Sequence, residues 1–183
     1  MFEQRLTKPE KGNKYYIRVQ SGGWNSAVLG KPLDRDCDVL ANCVGYANGR
    51  FAEIIGKPFI EYQLITNAEN FIEEALERGL HISDEPTLGG IMVWKGGNKL
   101  HGDDGVGHVA IVEQIMDKDT IYTSESGYDS FIFANIVRQN YNGNWGLDNS
   151  FTFRGCIINP EVAETTNFLK NNLDMYKWNR KLI

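Results

Sequence analysis

The periodicity of this chain changes at Pro86, and that change leaves it few architectures. Before Pro86, apolar residues recur at helical spacing. After it, they fall in short runs and alternations separated by Gly, Asn and Asp, the pattern of strands joined by turns. Helices followed by a run of antiparallel strands make an α+β domain. With 183 residues, 42% of them hydrophobic and 11% aromatic, the chain can fill one core but not two. One domain is expected over residues 15–160. A loosely held polar arm at 1–14 precedes it, and a tail or linker at 161–183, with a thin stripe of Leu169, Leu173 and Tyr176, follows.

The first helix carries Val44, Ala47, Phe51, Ile54 and Ile55 on one side, with Asn42 placed to cap it and Gly56 and Pro58 to stop it. Gly45 and Gly49 inside it each cost about 1 kcal/mol relative to alanine, so a close backbone approach, to the sheet, is expected there. The second helix shows the stripe Ala68, Phe71, Ile72, Ala75 and Leu76, a capping-box spacing at Thr66 and Glu69, and Gly79 at its end.

Strands are expected at Tyr15–Val19, Ile91–Trp94, His108–Val112, Ile121–Ser126, Phe131–Val137 and Phe151–Ile158, the last with Phe151, Phe153 and Ile157 on one face. Asp117-Lys118-Asp119 is a turn, making a hairpin of the third and fourth. Folding that hairpin brings His108, early in one strand, close to Glu125, late in the next.

A net charge of -5 gives no basic surface for nucleic acid or an anionic membrane. No run approaches ~18 consecutive apolar residues, and Met1 to Glu10 lacks the apolar stretch of a secretory signal, so a monomer made in a cytoplasm is expected. Cys37, Cys43 and Cys156 are an odd number, without the spacing of a disulfide framework or a zinc site. A metal site of Cys37, Cys43 and a histidine matches no zinc pattern.

Cysteine chemistry requires a thiolate, a base and a group that orients the base. A helix N-terminus favours the thiolate, and Cys43 has that placement, whereas Cys37 sits in a loop and Cys156 in a strand. Of three histidines, His81 follows a helix, His101 lies in a glycine-rich loop, and His108 opens an apolar strand with Glu125 within reach.

Four ordered segments carry a resemblance: Asn42-Cys43-Val44-Gly45-Tyr46-Ala47 with Gly49-Arg50-Phe51; Leu88-Gly89-Gly90-Ile91-Met92-Val93-Trp94; Gly107-His108-Val109-Ala110-Ile111-Val112-Glu113; and Ser124-Glu125-Ser126-Gly127-Tyr128. Together they resemble the CHAP family (cysteine, histidine-dependent amidohydrolase/peptidase) of phage endolysins, over about Tyr15 to Pro160. The resemblance implies a papain-like α+β fold, N-terminal helices packed on an antiparallel sheet, with Cys43 as nucleophile, His108 as general base and Glu125 as its orienter. Some members add an asparagine two places after that glutamate; here Gly127 stands there. The family's substrate is bacterial peptidoglycan, cut between muramic acid and L-alanine or within the stem and cross-bridge, with no cofactor needed for the chemistry. Trp24, Tyr141 and Trp145 are candidate walls for that substrate. Asp34, Asp36 and Asp38 alternate before the nucleophile helix as calcium ligands do in some relatives. The competing reading is a non-catalytic wall-binding or particle module on the same fold.

Overall fold

The structure, a computed structural model, describes residues 2–10, 13–16, 43–57, 63–64, 66–97, 106–127 and 133–163. Two helices, α1 (Cys43–Ile55) and α2 (Phe71–Glu77), precede a sheet of β1 (Ile82–Ser83), β2 (Ile91–Gly96), β3 (His108–Ile115), β4 (Thr120–Glu125), β5 (Ala134–Gln139) and β6 (Phe151–Ile157). The six strands pair antiparallel throughout, in the order β1-β6-β2-β3-β4-β5. This is an α+β architecture. Among the described residues, no helix is long and apolar enough to cross a membrane.

Both faces of the sheet are covered, which explains why β3 is apolar without alternation over Val109–Val112. One face sends Ile91, Val93, Val109, Ile111 and Ile157 against Val44, Ala47 and Phe51 of α1 and Phe71 and Ala75 of α2. The other buries Met92, Trp94, Ala110, Val112, Ile121 and Cys156 beneath Trp145, with Leu147, Phe151 and Phe153 at its rim. Among the described residues, the loop after β5 closes this second core.

The expected single face for Phe151, Phe153 and Ile157 is corrected by a register shift. Val93 pairs with Gly155 but Trp94 with Phe153, so the two phenylalanines join Trp94 on one face while Ile157 packs beneath the helices. Gly155, at φ +131, supplies the backbone that an L side chain would resist.

Three local expectations also change. Thr66 does not form a capping box: its hydroxyl and its backbone N–H both donate to Glu74, at 2.8 and 3.0 Å. Leu76 is 57% exposed, so the stripe of α2 ends at Ala75. Tyr15 and Tyr16 lie in a turn rather than a strand, and Ile17 to Val19 lie outside the described residues. Gly79, at φ +78, does close α2, with its N–H donating to the Leu76 carbonyl at 3.0 Å.

The N-terminal arm is docked, not loose. The Arg5 N–H donates to Glu113 at 2.9 Å, its guanidinium pairs with Glu53, and Arg50 of α1 donates to the Glu3 carbonyl. Gly49 shows why α1 needed a glycine: a Cβ there would lie 2.4 Å from the Tyr16 ring. At Gly49 the close neighbour is therefore the N-terminal segment and not the sheet.

Candidate active site

Cys43 is the first residue of α1 and is half-buried. His108 is the first residue of β3, and Gly107 before it has φ +88 with its missing Cβ only 2.3 Å from the Trp94 carbonyl oxygen. Any side chain at 107 would push the strand, and His108 with it, away from β2. Glu125 ends β4. The pairing of Ile111 with Ser124 and Val112 with Thr123 carries Glu125 onto the face of His108, one diagonal step away, within reach of long side chains.

The three residues expected to act together do meet. His108 Nε2 lies 2.7 Å from Glu125 Oε2, and Cys43, at the head of α1, is near enough to the same imidazole to strengthen its hold on the proton. With Nε2 committed to the carboxylate, Nδ1 is the nitrogen left for the thiol. His108 is 16% exposed at its side chain and Glu125 1%, so the row runs from an accessible thiol into the protein interior.

Burial alone would strip the proton from His108, but the hydrogen bonds to Cys43 and Glu125 and the charge of that carboxylate raise it to a pKa of about 9. Burial would likewise protonate Glu125; the charge of Arg138, with His108 beside it, holds the carboxyl well below its ordinary range. The imidazole therefore keeps its proton at neutral pH while the glutamate stays anionic.

Arg138 is the residue that reading the sequence missed. Its Nε donates to Glu125 Oε1 at 2.9 Å and its Nη2 to Oε2 at 2.7 Å, while the Thr123 hydroxyl donates to Oε1 at 2.5 Å. The strand predicted there ended at Val137, one residue short. An arginine in phase with the covered side of β5 was the available signal.

The other candidates separate from this row. Trp145 is 2% exposed, its ring inside the second core, so it is no substrate wall; its carbonyl instead accepts from Arg138 at 3.1 Å. Tyr141 is 81% exposed but follows the end of β5 where Gln139 pairs with Thr120, whereas Ala134 at the other end pairs with Glu125. It stands at the far side of the sheet. Cys156 is buried with its thiol raised to about 11 by that burial, against hydrogen bonds from Thr87. His81 is exposed on the surface. Trp24, Asp34, Asp36, Asp38, Cys37 and His101 lie outside the described residues. Among the described residues, no group of three or more His, Cys, Asp or Glu is arranged to hold a metal.

A solved structure of an N-acetylmuramoyl-L-alanine amidase from Staphylococcus aureus is similar over 72% of this chain and 36% of that chain, at 20% identity and a TM-score of 0.45. The present chain thus spans little more than a third of that protein's length. No curated protein matches the sequence. The family model of the CHAP domain matches residues 34–127, more than half of the chain and the whole stretch from Cys43 through His108 to Glu125, and the chain belongs to the CHAP domain family.

Proposed function

We propose that this protein is a cysteine peptidoglycan hydrolase, a phage lysin that cleaves an amide bond of the bacterial wall, with Cys43 as nucleophile, His108 as acid and base, and Glu125 as the group that orients His108. The observation that carries the reading is the hydrogen bond of His108 to Glu125 beside Cys43, which stands at the head of a helix. The raised affinity of His108 for its proton suits it to deliver that proton to the leaving nitrogen.

Sγ of Cys43 adds to the amide carbonyl carbon, and the electron pair of the C=O moves to oxygen. The positive end of α1 faces that oxyanion. As the tetrahedral adduct collapses, the C–N bond breaks and His108 gives its proton to the leaving nitrogen. Neutral His108 then takes a proton from water, the hydroxide attacks the thioester, and the carboxylic acid leaves as the thiolate and imidazolium re-form. Glu125 fixes the ring through both halves of the cycle.

The test is clearance of a turbid suspension of purified walls. Cys43→Ala is expected to lose at least about a thousandfold in rate with an unchanged melting temperature. A Cys43→Ala protein that clears walls like the parent returns the chain to the non-catalytic reading. Mass spectrometry of the released fragments distinguishes a free lactyl group, from muramoyl–alanine cleavage, from a new carboxyl within the peptide. The calcium reading of Asp34, Asp36 and Asp38 rests on their alternation. Stripping with a chelator and re-adding calcium tests it, and no change in clearance or melting in either step removes it.

A further inference from the structure

The row of polar side chains does not end at Glu125. We propose that Arg138 is a positioning residue of this site: its guanidinium grips both oxygens of Glu125 and so fixes the direction and the ionised state in which that carboxylate meets His108. This inference rests on the acyl-transfer reading of Cys43.

Three observations carry it. The contact is a two-bond fork, at 2.9 and 2.7 Å, from a side chain 4% exposed to one 1% exposed. The arginine is itself held: its Nη1 donates to the Trp145 carbonyl at 3.1 Å, and its Cζ lies 5.0 Å from the Trp94 ring centroid. Trp94 in turn donates from Nε1 to the Asn144 carbonyl at 3.0 Å, and its ring lies 5.9 Å from that of His108. Two successive carbonyls of one loop thus seat the arginine and the tryptophan against which it rests. Trp145 takes φ +50, which turns the loop at that carbonyl.

The chemistry gives this arrangement a purpose. During turnover His108 alternates between imidazolium and neutral imidazole. A buried carboxylate whose only partner was His108 would be compensated for half the cycle and exposed to a large desolvation cost for the other half, when it would draw the proton to itself. Arg138, permanently charged, compensates Glu125 in both halves. The charged and titratable groups facing His108 and Glu125 among the described residues are Cys43 from α1 and Arg138 from β5; Trp94 from β2 brings none. Removing one buried positive charge makes every acid of that set hold its proton to higher pH. A lysine keeps the charge but loses the fork.

The experiment follows alkylation of Cys43 by iodoacetamide across pH, by peptide mass spectrometry in a Cys37→Ser background, beside wall clearance at saturating wall. Arg138→Met is expected to move the rising limb of the alkylation profile up by about one pH unit and to slow clearance roughly a hundredfold. Arg138→Lys is expected to leave that limb in place and still slow clearance about tenfold. A limb unmoved in Arg138→Met, or parental clearance by Arg138→Lys, overturns the proposal. If circular dichroism shows Arg138→Met unfolded, the lysine variant decides alone. Alkylation needs no wall, so the pH shift is read even if Cys43→Ala clears walls, a result that counts against the hydrolase reading only.

Discussion

His108 holds its proton to about pH 9 because Cys43 and Glu125 outweigh its burial. A histidine whose folded value is raised above its unfolded one, near 6.5, contributes stability that is complete below that value and is lost as pH climbs through about 9. The shift corresponds to about 3 kcal/mol. Urea unfolding of the parent is expected to show that loss between about pH 6 and 10, and His108→Gln to flatten it. Wall clearance is expected to fall over the same alkaline range, as the leaving nitrogen loses its proton donor. Cys43, His108 and Glu125 were legible in the sequence because each sits beside a recognisable signal: a helix start, a glycine before an apolar strand, the partner strand of a short hairpin. Arg138 was not, because its role comes from the pairing of β5 with β4, a register that the spacing of residues does not announce. Trp145 misled for a related reason. An aromatic in a Gly- and Asn-rich loop looks exposed until the loop is seen to be the lid of a core, held down by Asn144, whose amide donates to the carbonyls of Asp148 and Phe151 at 2.7 and 2.9 Å.

At the scale of elements, the order of helices and strands and the central hairpin followed from periodicity, whereas facing and end structure did not. A bulge moves two phenylalanines to the opposite side from Ile157, and no spacing rule reads a bulge. The glycines of α1 signalled a close neighbour without naming it. Gly49→Ala should gain about 1 kcal/mol of helix propensity, but the Tyr16 ring stands where the methyl would go, and overpacking of that kind costs about 1–3 kcal/mol. Net destabilisation in urea is expected, and the same substitution in a Tyr16→Ala background should stabilise. Stabilisation in both backgrounds would refute the contact.

Across the whole molecule, a second buried network binds the parts that the sequence left separate. Glu113, fully buried, accepts from Arg50 Nε and Nη2 at 2.8 and 2.9 Å, from the Ser124 hydroxyl at 2.6 Å and from the Arg5 N–H at 2.9 Å. The Tyr46 hydroxyl donates to Ser124 at 2.8 Å, so α1, β3, β4 and the N-terminal segment converge on one carboxylate. Arg50→Met leaves that charge buried without its guanidinium, and a loss of about 3–5 kcal/mol is expected in chemical unfolding. Arg50→Met with Glu113→Met should be much less damaging than Arg50→Met alone.

Ser124 and Glu125 are neighbours in β4, yet one faces the helices and the other the row beneath Trp94. Sliding β4 by one residue against β3 would turn Glu125 toward Glu113 under α1, two acids in a dry interior, and would take it off the face that carries His108. Misalignment is thereby penalised on both sides of the sheet at once. The alignment that survives is the one that sets a carboxylate against His108, so in this hairpin a correctly closed interior and a competent acid-base pair are two readings of the same strand register.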